Sequence, residues 1–423
     1  MPFRIDESDL ILQGGCDDES RSACVKILMI SDVYFPRING VSTSIFTFRQ
    51  ELEHHGHAVH LIAPDYGRPT ADEQWITRIP SRYLPLDPED RMAKLSAIME
   101  LLPGLRNQGF DILHIHTPFI AHHAGIRLAK ALGIPAVESY HTFFEEYLYY
   151  YVPFLPKSVM RFAARHFSYR QCHQVDALVT PSEAMLEVLR GYGVRTQADI
   201  IPTGIELEQF AAGSGAAFRA RYGIDPEWPV LVHVGRVAHE KNIGFLLEVV
   251  ARVRRVAPEV LLIVAGEGPA LKALKRKAVA LGIGGHVLFV GYLDRQRELL
   301  DCYRAGDAFV FASRTETQGL VLLEAMALGV PVVSTAVMGT RDVLRHGEGA
   351  LIAAEQVDDF AGQVVRLLQD TALRRRLSAA ATAYAAQWSA ARMAERMAGF
   401  YQEVIQKSQE PVAAFSRRQG VTG

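Results

Sequence analysis

Short apolar runs recur along this chain, each followed by a polar loop and a helical stretch, and about half-way along the pattern starts again. In the first half they fall at residues 25–30, 58–63, 112–116, 135–140, 177–180 and 199–202, and in the second at 229–235, 260–265, 286–290, 308–311 and 331–334. Runs that are apolar almost throughout, rather than on alternate residues, are strands covered on both faces. Strands that alternate with helices make a parallel sheet wrapped by helices. At 423 residues the chain is too long for one core, and the restart predicts an α/β protein of two Rossmann-like, doubly wound domains. Ligands of such sheets sit beyond the carboxyl ends of the strands, so the expectation is two domains facing a central cleft. The predicted boundaries are a flexible acidic leader over 1–24, domains over 25–205 and 206–388, a C-terminal helix over 389–410 that crosses back to the first domain, and a flexible tail over 411–423. The Gly- and Ala-rich stretch from Thr203 to Gly223 reads as the linker.

Composition narrows the function classes. A net charge of −2 argues against nucleic acid as the main partner. The longest apolar stretch, Leu320 to Met338, carries Glu324 and is interrupted by Gly329 and Pro331, which makes it a poor membrane span. The leader holds Asp6, Glu7, Asp9, Asp17, Asp18 and Glu19 and lacks the apolar core of a signal peptide. Cys16, Cys24, Cys172 and Cys302 lack zinc-type spacing and give no sign of disulfides, so a reducing cytoplasm is the expected compartment.

The chemistry-bearing residues follow strand ends. After the run at 308–311 comes Arg314-Thr315-Glu316-Thr317-Gln318-Gly319-Leu320, a polar loop opening a helix that contains Glu324. Helix starts favour phosphate, because unpaired N–H groups and the helix dipole meet there. A carboxylate further in is able to accept hydrogen bonds from ribose hydroxyls. Glu324 lies among Leu320–Leu323 and Ala325–Ala327, where an unpaired carboxylate is costly, and it therefore needs a partner. After 229–235, Arg236 and Lys241 read either as solvated loop charges or as cations for a diphosphate leaving group. Gly40, opening the first domain's first long helix, reads equally as a turn residue or as a point where backbone approaches phosphate. His141 follows a buried strand, and a lone histidine there is more often structural. His114 and His116, at another strand end, read as scaffold. The sequence contains no Asp-x-Asp triplet of the kind that clamps magnesium on a sugar nucleotide.

Several short motifs stand in order: Phe35-Pro36-Arg37-Ile38-Asn39-Gly40-Val41, Ser139-Tyr140-His141-Thr142, Thr180-Pro181-Ser182-Glu183, Ile201-Pro202-Thr203-Gly204-Ile205, Gly235-Arg236-Val237-Ala238-His239-Glu240-Lys241-Asn242, Ala265-Gly266-Glu267-Gly268-Pro269 and the Glu316-x7-Glu324 segment. Together they resemble the retaining GT-B glycosyltransferases of group 1 and family 4, over nearly all of 26–401. The resemblance implies that His141 and Glu316 act on the transferred sugar. It likewise implies donor binding by Gly40, Arg236, Lys241, the Gln318, Gly319 and Leu320 backbone, and Glu324. It also implies transfer without a metal or other cofactor, and an N-terminal acceptor domain beside a C-terminal nucleotide-sugar domain.

The stretch 142–156 is aromatic and acidic, and the helix after it spaces Lys157, Arg161 and Arg165 four residues apart, on one face. On pattern alone this is a core helix with a basic edge or an interfacial helix on anionic lipid, with Val159, Met160, Phe162 and Phe167 left for other faces. Residues 141–147 and 315–320 look most like the branch that glucosylates diacylglycerol. That likeness implies UDP-glucose as donor, a lipid acceptor, and peripheral attachment to the cytoplasmic face of the membrane. Polysaccharide-precursor or mannosyl acceptors, a UDP-sugar epimerase and a non-catalytic nucleotide-sugar sensor are the alternatives.

Overall fold

The computed structural model describes residues 24–67, 74–84, 87–141 and 157–410. The leader, the aromatic stretch over 142–156 and the C-terminal tail lie outside them. The chain divides into two compact units. The first takes the residues up to Thr180, Leu189–Ile201 and the chain from Ala394 on; the second takes Pro181–Val188 and Pro202–Met393.

The first unit contains β1 (Lys26–Ile30), β2 (Ala58–Pro64), β3 (Ile76–Ile79), β4 (Ser81–Leu84), β5 (Asp87–Ala93), β6 (Ile112–Ile115), β7 (Ala136–Ser139), β8 (Ala177–Thr180) and β9 (Gln197–Ile200). Seven of them form a sheet in the order β3-β2-β1-β6-β7-β8-β9. All its pairings are parallel, while β4 and β5 make a separate antiparallel pair. Ile27, Leu28, Met29, Ile112, Leu113 and Ile115 are fully buried, because helices cover both faces. The strand order reverses between β1 and β6, which makes their carboxyl ends the natural place for a ligand.

The second unit contains β10 (Val230–Val234), β11 (Leu261–Ala265), β12 (Val287–Gly291), β13 (Ala308–Phe311), β14 (Val332–Ser334) and β15 (Ala350–Ile352). They form one sheet in the order β12-β11-β10-β13-β14-β15, parallel throughout. On one face Leu231, Leu262, Val310 and Val333 pack against helices Ile243–Val253 and Val357–Gln369. On the other, Val232, Ile263, Phe309 and Val332 pack against helices Leu320–Ala327 and Thr371–Ala385. Burying each such side chain contributes roughly 1.5–3 kcal/mol. Here the order reverses between β10 and β13, the two strands after which Arg236, Lys241 and Glu316 follow.

Two readings of the sequence are corrected. The stretch 203–223 belongs to the second unit and is not a linker: Ile205, Phe210 and Phe218 are buried there, and Arg219 ties it down through Ala305 O at 2.8 Å and Trp228 O at 2.9 Å. Its Gly and Ala content reads as a linker, but two well-spaced phenylalanines decide its packing. Cys24 is disulfide-bonded, where four scattered cysteines gave no pattern to read; Cys172 and Cys302 are free and buried. On helix Lys157–Cys172, Met160, Ala164 and Ser168 face inward, whereas Phe162 is 72% exposed and Val159 49%. The inward face takes the smaller residues and leaves the phenylalanine in solvent. Among the described residues no helix is long and apolar enough to cross a membrane.

Candidate functional site

In the second unit the loops after β10 and β13 are built against each other. The β10 loop leaves Val234 at Gly235, and a neighbouring loop props it: Gly235 N–H donates to Ala265 O at 3.0 Å and Val237 N–H to Glu267 O at 2.8 Å. The approach is so close that a Cβ on Gly266, whose φ is +130°, would stand 2.0 Å from Gly235 O. This explains the Gly266-Glu267-Gly268 motif as backbone packing. Arg236 lies part-buried on the propped loop. Lys241 closes it, and its Nζ stands 2.5 Å from Glu316 Oε2 on the loop after β13, with each side chain about one-fifth exposed (19% and 21%). Arg314 Nε contacts both Glu355 oxygens at 2.9 and 3.0 Å. Asn242 Nδ2 donates to the same carboxylate at 3.1 Å, joining the loops a second time. Arg314 beside Glu355 holds that carboxyl below its ordinary range.

The segment before helix Leu320–Ala327 has its carbonyls occupied by protein. Gly339 N–H donates to Glu316 O at 2.9 Å, and Ser182 Oγ donates to Thr317 O at 2.6 Å. Since each peptide is a rigid trans plane, the N–H groups of Thr317 and Gln318 turn the opposite way. Gln318 is locked by its side chain: Oε1 accepts from Thr203 N–H at 2.9 Å and Nε2 donates to Thr203 O at 2.7 Å. Gly319 caps the helix at φ 96° with no side-chain acceptor, so the first-turn N–H groups meet no capping side chain. Leu320 opens the helix, and all of these features flank the β10/β13 reversal.

Glu324 is 1% exposed, as its apolar neighbours suggested. Its partners, however, come from the protein: Arg295 Nη2 at 2.6 Å from Oε1 and Tyr303 Oη at 2.7 Å from Oε2. Burial, and then the Glu324 charge, push the Tyr303 phenol well above its ordinary range, so that it stays a donor. Burial of Glu324 therefore does not require ribose as its partner. Each carboxylate oxygen keeps a second lone pair, and a ribose contact remains compatible with the geometry.

In the first unit, Gly40 begins helix Gly40–His54, with Asn39 Oδ1 accepting from Ser42 N–H at 2.8 Å. A Cβ on Gly40 would meet nothing within 4 Å; neither packing nor left-handed backbone calls for glycine there. At the β1/β6 reversal, Asp32 is buried. Its Oδ2 accepts from Thr117 Oγ1 at 2.8 Å, and its backbone N–H donates to that oxygen at 2.6 Å. Ala121 N–H, at the start of helix Ile120–Leu132, points at both carboxylate oxygens at 3.1 and 3.2 Å. Burial pushes Asp32 up to about 6 against these bonds.

His114, His116 and His141 form a row at the ends of β6 and β7. His114 is satisfied, with Nδ1 2.6 Å from Tyr401 Oη and Nε2 2.8 Å from Ser139 Oγ, which agrees with a scaffold role. His116 is 1% exposed. Among the described residues neither of its ring nitrogens has a partner, nor has Nε2 of His141. Burial lowers His141 to about 4 and His114 to about 3, and holds His116 well below its ordinary value, so all three rings are neutral near pH 7. Helix Lys157–Cys172 exposes Arg161 and Arg165. It starts at Lys157, whose side chain lies outside the described residues. Beside the cations stand Phe162, with its ring parallel to His166 at 6.1 Å, and Tyr169, 41% exposed.

Sequence reasoning missed Ser182, Arg295, Tyr303 and Glu355, whose partners lie far away along the chain, and it set His116 aside. The Thr180-Pro181-Ser182-Glu183 motif was the one available signal for Ser182.

Residues 216–384 match the family model described as glycosyl transferases group 1, and residues 38–209 match glycosyltransferase family 4. The chain is 34% identical over 354 residues to an alpha-monoglucosyldiacylglycerol synthase of Streptococcus pneumoniae, covering 81% of this chain and 78% of that protein. In fold it is similar to sucrose-phosphate synthase of Thermosynechococcus elongatus, with TM-score 0.73 at 21% identity over 90% of this chain and all of the other. It is likewise similar to Anabaena HepE in complex with UDP and glucose, with TM-score 0.72 at 16% identity and the same coverage of both chains.

Proposed function

Since the chain belongs to the group 1 and family 4 glycosyltransferases and is an enzyme of that kind, we propose that it moves glucose from a UDP-sugar to a lipid hydroxyl, such as that of diacylglycerol, with retained anomeric configuration. The observation that carries the reading is the Lys241–Glu316 pair at the β10/β13 reversal. A cation and a carboxylate held side by side suit the two halves of a sugar diphosphate. The lipid follows from the diacylglycerol-glucosylating relative, and the donor from the UDP and glucose held by the HepE neighbour.

As the bond from the anomeric carbon to phosphate oxygen breaks, the diphosphate gains charge, and Lys241 and Arg236 stabilise it. The N–H groups turned outward before helix Leu320–Ala327, around Gln318, Gly319 and Leu320, add neutral donors. Glu316, relieved of part of Lys241 by the incoming phosphate, accepts from sugar hydroxyls, and Glu324 accepts from ribose. In the first unit His141 serves the sugar, and Gly40 leaves its helix start open to a phosphate-bearing group. The acceptor oxygen bonds to the anomeric carbon on the face the phosphate leaves, and its proton passes to the departing phosphate oxygen. Protein cations carry the leaving-group charge, so no divalent metal or other cofactor is required.

Lys157, Arg161 and Arg165 dock the enzyme on an anionic membrane surface, the inner face of the cell membrane, while Phe162 and Val159 dip into the interface. The test is purified protein with labelled UDP-glucose and diacylglycerol vesicles, with chelator present. Labelled glycolipid of unchanged anomeric configuration is expected. A water-soluble product alone, or transfer only from a GDP-sugar, defeats the reading.

A further inference from the structure

Around the β1/β6 reversal of the first unit, the Asp32, Thr117 and His114 side chains are bonded, whereas the His116 ring has no partner among the described residues. His116 N–H donates to Ile30 O at 2.9 Å, and the next residue, Thr117, is bonded twice to Asp32. The backbone that carries His116 is thus rigid. Its ring is packed on one side by His114, with centroids 4.0 Å apart, and lies parallel within 12° to His141 on the other, with centroids 6.0 Å apart. Yet both of its nitrogens, and Nε2 of His141, lack a partner among the described residues. A folded chain rarely leaves buried polar atoms unpaired, and where it does so a ligand or an ordered water commonly supplies the bond.

We propose that His116 is a substrate-seating residue: together with His141 it forms a neutral seat of two imidazoles for a hydroxyl group, carried by the transferred sugar or by an ordered water. The sugar arm rests on the function proposed above. A neutral imidazole offers one donor and one acceptor, and a hydroxyl is complementary to both at once. Phosphate asks for donors and positive charge, which rings kept neutral by burial do not supply. Nor is the pair a metal cage: His114 packs on His116 but its two ring nitrogens are bonded to Tyr401 and Ser139, and among the described residues no three His, Cys, Asp or Glu are grouped so as to hold a metal ion.

The test uses the whole protein and two substitutions. His116→Phe keeps a ring and removes both nitrogens; His116→Gln keeps one donor and one acceptor. If the nitrogens serve only packing, Phe is harmless or better, because it relieves unpaired polar atoms. The seat predicts a split: His116→Phe melts at or above the wild-type temperature but loses at least about tenfold in kcat/KM with UDP-glucose, while His116→Gln recovers part of the loss. Repeating the comparison with singly deoxygenated glucose donors separates the two sources of the hydroxyl. If one deoxy donor is indifferent to the Phe substitution, the hydroxyl belongs to the sugar. An equal loss with every donor assigns it to water. Wild-type kcat and KM in the Phe variant overturn the seat, and so does an activity loss that only follows a fallen melting temperature. Should the wild type itself transfer no sugar, the function reading fails, and the seat is then read from the rise in melting temperature with UDP-glucose, a smaller rise in the Phe variant supporting it and an equal rise overturning it.

Discussion

The two strand-order reversals differ in the kind of polarity they hold. In the second unit, between β10 and β13, the side chains are charged and already paired: Lys241 with Glu316, Arg314 with Glu355, and Arg295 with Glu324 nearby. In the first, between β1 and β6, His116 and His141 are neutral imidazoles with nitrogens that have no partner among the described residues, and burial raises the Asp32 carboxyl to about 6. Two sheets of similar topology thus present opposite chemistries. Paired charges are exchanged when a charged ligand arrives, at little net cost in buried charge. Unpaired neutral groups wait for a partner that is itself neutral and polar.

The largest expected effect lies on the charged side. Lys241→Ala should lower kcat by about a hundredfold to a thousandfold in the vesicle assay, and near-normal transfer would remove the diphosphate from this unit. Next come the two buried carboxylates. Asp32 has a folded pKa of about 6, above the ordinary 3.8; its folded state therefore holds the proton more tightly than the unfolded one. Its contribution to stability is complete below pH ~4 and is lost as pH rises through ~6, a change of roughly 3 kcal/mol. Denaturant melts of wild type and Asp32→Asn at several pH values should accordingly diverge between pH 4 and 6 and run parallel above about pH 7. A constant difference would mean that this carboxylate titrates normally and that the first unit is less neutral than described. Glu324→Gln leaves Arg295 facing a neutral amide and should cost about 2 kcal/mol, lowering the melting midpoint by roughly 4–8 °C. A smaller shift would mean that the pair is no structural anchor and free to serve ribose alone. The smallest effect belongs to the exposed helix: replacing Arg161 and Arg165 by Ala should weaken binding to anionic vesicles by about 1 kcal/mol per residue, less at high salt, with activity on detergent-dispersed lipid retained. Unaltered vesicle binding would take the membrane away from that face.

The central strands were legible because they are buried on both faces, so their apolar runs are continuous and their ends show within a residue or two, whereas the partly buried edge strands β3 and β15 gave no such run. The run at 230–234 is an example, buried at every position. Segments whose character lies in partners were not legible. Gln318 meets Thr203 across 115 residues, and Ser182 meets Thr317 across 135. Residues 203–223 read as a linker because composition does not reveal which phenylalanines another element will cover.

The sequence by itself determined the two parallel sheets, the residues standing at their strand ends and the order of motifs that marks the family, since all of these depend on local apolar pattern and spacing. Only the tertiary structure decided who satisfies whom: that Glu324 is held by Arg295 and Tyr303, that Lys241 rests on Glu316, and that the His116 nitrogens have no partner among the described residues. The reason is physical. Hydrogen bonds and ion pairs act over a few ångströms between residues that the chain separates widely, and no local property of a side chain records where folding will put its partner.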